Sequence, residues 1–217
     1  MTQQYRATTM ATKGMVTTPH YLASQAALAI LHKGGNAIEA AIAAASTIAV
    51  VYPHMNSIGG DNFWLVYNAK TKEVKALNSS GRAGHKATID FYKEQGYSKI
   101  PARGPLAANT VPGAVAGWGT AYDYATAEMN GTLQWAELLE QAIRYANEGF
   151  PVTESQEYWT NVNLDETDQE FRALQRFEEF ARIFLKDGKP YQEGDILKQQ
   201  DLGDTLAYIA QHGAQAF

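Results

Sequence analysis

The side chains able to do chemistry are scattered along this chain, and their spacing excludes more reactions than it supports. The five histidines, His20, His32, His54, His85 and His212, show no i, i+4 pairing and no carboxylate at metal-ligand spacing, so no zinc or iron site is expected. His54, beside Pro53 and a Gly-rich turn, is the one to follow, with a hydrogen-bonded structural histidine as the bland alternative. There is no cysteine, which removes thiolate nucleophiles, thiolate metal ligands and disulfides. The acidic pairs Glu137 with Glu140 and Glu178 with Glu179 fall on amphipathic or solvated stretches, where solvation accounts for them without acid–base work. Asp61 and Asn62 follow Gly59 and Gly60, and Asp61 either caps this turn or orients a neighbouring loop. The turn lacks a GxxxxGK pattern and is not a phosphate loop.

The net charge of −5 and the scattered Lys and Arg residues give no basic face for a phosphate backbone, so no nucleic-acid partner is expected. Trp64, Trp118, Trp135 and Phe63 read as core or interface aromatics, because no basic stripe accompanies them as base stacking would require. The N-terminal MTQQYRATTMATKG lacks the apolar core of about 7–15 residues that a signal peptide needs, so a cytoplasmic location is expected. A trimmed leader would leave the same sequence.

The elements that must position any site are clearest between Lys33 and Tyr67. Gly34 and Gly35 close a helix ending near His32, since a residue just past a helix end often takes positive φ. Asn36 and Glu39 have the spacing of a capping box, which starts a second helix at Ala37. That helix is Ala- and Ile-rich nearly all round, carries its only charge in the first turn, and ends before Pro53. It is shorter than the roughly 20 apolar residues of a membrane span and reads as a buried helix, so no membrane association is expected. Phe63–Tyr67 (FWLVY) reads as a buried strand rather than an alternating surface one, and with Glu73–Leu77 it forms a β-hairpin across a short polar loop.

Further along, Thr88–Gln95 reads as a helical segment, and the Pro and Gly residues of Ile100–Pro105 as loop. Pro112 is placed as the first residue of a helix whose small residues allow close packing. Leu133–Glu148 is an amphipathic helix capped by Gly149, Val152–Glu178 carries no obvious strand, Asp187–Pro190 is turn-like, and a last helix spans about Leu202–His212. At 217 residues with 45% hydrophobic content the chain supports a real core. It stops at Phe217 straight after a helix, with no evident finishing element.

Taken in order, KGGNAIEAA (33–41), PHMNSIGGDNF (53–63), KAT (86–88), VPGAVAGW (111–118), ANEGFPV (146–152) and GDILKQQDLGDTL (194–206) resemble the N-terminal part of the gamma-glutamyltransferase family. The resemblance implies an α+β fold, the αββα sandwich of the N-terminal nucleophile hydrolase type, of which this chain supplies only part. Residues 1–217 would be the N-terminal portion of the large subunit. The implied enzyme is an amide hydrolase or acyltransferase that passes a gamma-glutamyl or another small acidic acyl group to water or an amine. Its nucleophile is a Thr freed as the N-terminus of a small subunit by self-cleavage, with its own α-amine as general base. No catalytic residue, metal ligand or cofactor site is then expected in this chain. The implied partners are the small subunit or C-terminal remainder bearing that Thr, a small-molecule amide, and a second copy of the heterodimer.

In gamma-glutamyltransferases the substrate contact from this region is an Arg in a strand-end motif resembling DFRE. Alignment on Lys86, Ala87 and Thr88 puts Ser80 at that Arg's position, within NSSGRAG (78–84), with Arg82 two residues later. Ser80 and Arg82 are therefore the candidate substrate-binding residues. A hydroxyl cannot replace the cation, whereas a guanidinium fork matches two carboxylate oxygens, so Arg82 turned into the pocket would favour a smaller or differently shaped acid such as an oxamate-like amide. Otherwise Arg82 is an ordinary surface residue. A cephalosporin acylase-like amidase is a further alternative. A non-catalytic binding fragment or degenerate paralogue is the other, and it would expose a large apolar face where the rest of the sandwich belongs.

Overall fold

A computed structural model of the chain describes residues 8–168 and 172–217. The N-terminal stretch read for a leader lies partly outside it, as do residues 169–171 within the stretch read as free of strands. Helix α1 (Tyr21–His32) ends as expected: Gly34 takes φ 94°, and the Gly34 and Gly35 N–H groups donate to Leu31 and Ile30 carbonyls at 3.1 and 3.0 Å. Helix α2 (Ala37–Val51) starts at a complete capping box, with Asn36 Oδ1 accepting from the Ile38 and Glu39 N–H groups and Glu39 Oε2 accepting from the Asn36 N–H at 2.7 Å.

Helix α2 is the centre of the molecule. It packs on α1 through buried alanines on both helices, and on α5 (Trp135–Glu148) through Leu138, Leu139 and Ala142. Helix α4 (Ala114–Glu128) adds Val115, Trp118 and Ala121 to the same core, and the helix Gln200–His212 adds Leu206 and Ile209 from the far side of α5. Among the described residues no helix is long and apolar enough to cross a membrane.

Strands β1 (Asn62–Asn68) and β2 (Glu73–Ser79) form the antiparallel hairpin, with Trp64 opposite Leu77 and Leu65 opposite Ala76. The sequence reading of Phe63–Tyr67 as a strand covered on both faces needs correction. Trp64 and Val66 pack on the helical layer, but Phe63, Leu65 and Tyr67 alternate with them and are 66%, 78% and 59% exposed, as is Val74 at 62% across the ladder. A strand has two faces, and this chain supplies a helical layer for one of them.

Pro112 is also displaced from its expected place. Helix α4 begins at Ala114 with Gly113 as N-cap, because both the Gly113 and Ala114 N–H groups donate to the Gly60 carbonyl, at 3.0 and 2.9 Å. The short helix α3 (Ile89–Glu94) is capped by Thr88 as expected. After α5, Phe150–Pro151 pairs with Ile196–Leu197, and helix α6 (Glu154–Asn163) occupies a region that sequence alone left unassigned. A two-residue turn at Asp187 and Gly188, both at positive φ, joins Leu185–Lys186 to Lys189–Pro190.

Candidate active site

The region carrying Ser80 and Arg82 leaves the end of β2 and is stitched into place from one side. The Val111 N–H donates to the Arg82 carbonyl at 2.8 Å, the Gly84 N–H donates to the Asn109 carbonyl at 2.8 Å, and Ala83 bridges Thr110. The Gly-rich turn holds the same segment from its other end, where Asp61 Oδ1 accepts from the Gly81 N–H at 3.0 Å. Of the two sequence readings of Asp61, the structure bears out the loop-orienting one: its partner is 20 residues away, not in its own turn.

Exposure alternates along this segment, with Leu77, Ser79 and Gly81 partly covered and Asn78, Ser80 and Arg82 exposed. The even positions continue the open face of the hairpin, so one surface runs from Tyr67 and Val74 through Leu65, Ala76, Phe63 and Asn78 to Ser80 and Arg82. It is apolar at one end and cationic at the other. Among the described residues no hydrogen bond or ion pair reaches the Arg82 guanidinium. Clefts of about 610 and 260 Å3, the first lined by Tyr97, Pro101 and Phe177 and the second by Lys86, Tyr92 and Thr110, contain neither Ser80 nor Arg82. The candidate surface is open rather than enclosed.

His54 lies away from this surface, half-buried, with Nε2 sharing a hydrogen bond with Ser155 Oγ at 3.2 Å and its ring against Tyr52. It sits on the rim of a cleft of about 220 Å3 with Thr160, Phe180 and Phe184. His20 is 3% exposed and caps α1, its Nδ1 accepting from the Leu22 N–H at 3.2 Å. Burial pushes the His20 imidazole below its ordinary value of 6.5, and the neighbouring His54, itself lowered by burial, adds to the effect.

The folded state thus binds fewer protons than the unfolded chain, so this stabilisation is present above the unfolded value of 6.5 and is lost as the pH falls below it. Each histidine contributes a slope of at most about 1.4 kcal/mol per pH unit. His20→Asn keeps a side-chain acceptor for the Leu22 N–H but does not titrate, so it is expected to flatten the fall in melting temperature between about pH 7 and pH 5. Parallel curves for the two proteins would exclude His20 as a contributor.

A family model described as Gamma-glutamyltranspeptidase matches residues 23–217. The chain belongs to the gamma-glutamyltranspeptidase family. It is 45% identical over 206 residues to the Glutathione hydrolase-like YwrD proenzyme of Bacillus subtilis (strain 168), covering 95% of this chain and 37% of that protein. It is 43% identical over 208 residues to the Oxamate amidohydrolase proenzyme of Klebsiella pneumoniae, covering 96% of this chain and 38% of that protein.

Among solved structures, the gamma-glutamyltranspeptidase of Helicobacter pylori superposes with a TM-score of 0.81 at 32% identity, over 97% of this chain and 58% of that one. The cephalosporin acylase of Bacillus halodurans superposes with a TM-score of 0.79 at 32% identity, over all of this chain and 40% of that one. The α+β sandwich expected from the sequence is therefore the fold of the gamma-glutamyltranspeptidase family, and these residues form part of it. The chain spans little more than a third of the length of the two curated relatives. The hairpin face of Phe63, Leu65, Tyr67 and Val74 and the Ser80 and Arg82 positions are exposed in this chain.

Proposed function

We propose that these residues are the N-terminal part of an amide hydrolase or acyltransferase, acting on a small acidic acyl amide through a Thr nucleophile carried by polypeptide beyond this chain. The observation that carries this reading is the open hairpin face, which leads on to the exposed Ser80 and Arg82, with no partner for the Arg82 guanidinium among the described residues. Arg82 binds the substrate carboxylate and Ser80 adds a neutral hydrogen bond. The Thr attacks the amide carbonyl, the amine leaves, and water or a second amine takes the acyl group. Arg82 displaced by two residues from the family's usual position favours a shorter acid than glutamyl, and the relative named for oxamate supports that choice. Gamma-glutamyl amides are the second reading, supported by the relative named for glutathione.

The test is turnover of oxamate, glutathione, a gamma-glutamyl anilide and a cephalosporin side-chain amide by the full-length, self-cleaved protein. Oxamate is expected to give the highest kcat/KM. Arg82→Ala is expected to raise KM for the acidic amide about 10–100-fold with a smaller change in kcat, since a lost charged hydrogen bond is ground-state binding. No turnover of any of the four by properly cleaved protein would remove the enzyme reading, and an unchanged KM in Arg82→Ala would remove Arg82 from the site.

A further inference from the structure

Arg82 and Ser80 sit on a segment whose own side chains do little to hold it. The Ser80 N–H donates to Asn78 Oδ1, a contact within the segment; the Arg82 carbonyl and the Gly84 N–H are held by Val111 and Asn109, and the Gly84 carbonyl accepts from the Ala87 N–H just beyond. The side-chain contact that ties this segment to the Gly-rich turn is the Asp61 Oδ1 bond from the Gly81 N–H, the residue between the two candidates. Gly60, immediately before Asp61, fixes the other neighbour by accepting from Gly113 and Ala114. The turn therefore sets the spacing between β2's exit and the start of α4. Asp61 makes no ion pair among the described residues, so charge pairing does not account for it.

We infer that Asp61 is a positioning residue: by holding the Gly81 N–H it fixes the direction in which Ser80 and Arg82 face the open surface, and so sets the preference for a carboxylate-bearing amide. A free carboxylate beside an acid-binding site opposes an anionic substrate electrostatically, so its benefit must come through the main-chain bond it makes. The inference rests on the acidic-amide function proposed above. It separates Asp61 from a residue needed only for folding, because a loosened Arg82 weakens recognition of the acid and leaves a neutral analogue unaffected.

The experiment compares oxamate with its neutral ethyl ester in the full-length, cleaved wild type and in Asp61→Ala, Asp61→Asn and Arg82→Ala. Asp61→Ala is expected to raise KM for oxamate about tenfold and to leave KM for the ester within about twofold, narrowing the acid preference as Arg82→Ala does. Asp61→Asn keeps the Oδ1 acceptor, so it should restore the wild-type preference. Should Asp61→Ala fail to accumulate as cleaved protein, Asp61→Leu, the apolar isostere of asparagine, serves as the second loss variant. The inference is overturned if Asp61→Ala lowers kcat on both substrates alike, if Asp61→Asn behaves as Asp61→Ala, or if the acid preference survives in both loss variants. If Arg82→Ala keeps the acid preference, the assignment of Arg82 is at fault instead. If Arg82→Ala loses it while the Asp61 variants do not, only the role given to Asp61 falls.

Discussion

Replacing Glu39 with alanine is expected to cost about 3–5 kcal/mol of stability, far more than a capping residue contributes. The side chain is fully buried. Its Oε2 accepts from the Asn36 N–H at 2.7 Å, the ordinary half of a capping box. Its Oε1 accepts from the Thr132 and Leu133 N–H groups at 2.9 and 2.8 Å, main chain 93 and 94 residues away that leads into α5. One carboxylate thus satisfies donors at the start of α2 and in the approach to α5, the two helices that pack at the core. Alanine strands three partly buried N–H groups, each costing about 1–3 kcal/mol when unsatisfied, and entry of water or local relaxation returns part of the sum. Glu39→Gln keeps one oxygen and turns an NH2 toward donors, so it should fall between alanine and wild type. Glu140→Ala, which loses only an exposed contact with Lys33, should change stability by less than about 0.5 kcal/mol. Thermal unfolding of the full-length protein checks this, with Glu39→Ala expected to melt about 3–5 °C lower, since the midpoint shift per kcal/mol falls as the cooperative unit grows. A shift no larger than that of Glu140→Ala would mean that other partners replace the three bonds.

What the sequence carries legibly is local. The α1–α2 turn follows from Gly34, Asn36 and Glu39, each acting on main chain within a few residues, and it forms as read. Helix α6 carried a legible signal that went unused: Thr153 followed by Gln156 is the start of a capping box, and Thr153 Oγ1 does accept from the Gln156 N–H. The second job of Glu39 and the bond from Gly81 to Asp61 were not legible, because they join residues 93 and 20 positions apart that only the fold brings together. The hairpin shows a different limit. FWLVY is apolar at every position, which signals that both faces are destined for burial, but a sequence does not say which polypeptide buries them. Here the outer residues stay bare in this chain while the inner ones meet its helices. At the candidate site, Ser80 and Arg82 were reached through the family pattern alone. Their shared face became apparent only from the register of β1 and β2 and the exposure of the segment after it.

The glycines around that segment divide into those this chain requires and those it does not, and the division predicts the second large effect. A Cβ on Gly81 would lie 1.6 Å from the Val111 carbonyl oxygen and one on Gly113 would lie 2.1 Å from the Ser79 carbonyl oxygen, both main-chain atoms that cannot swing away. By contrast, a Cβ on Gly59 or Gly60 would meet nothing nearer than Ser57 Oγ, at 3.7 and 4.0 Å, and neither glycine is at positive φ. Gly81→Ala must therefore push Val111 away, breaking the Val111 N–H bond to the Arg82 carbonyl and the bridge between Ala83 and Thr110. The expected cost is about 3 kcal/mol or more. Because the displaced strand-end carries Arg82, acid binding should fail with it, in full-length protein, by at least the loss expected for Arg82→Ala. Gly59→Ala meets no such obstacle within this chain and should leave stability within about 0.5 kcal/mol wherever its surroundings are only those described. If Gly59→Ala instead disables the full-length protein while Gly81→Ala is tolerated, the main chain at 81–83 is not pinned against 110–111 as described. If both are disabling, a second body of polypeptide presses on the Gly-rich turn from the open side, as a completed sandwich would require.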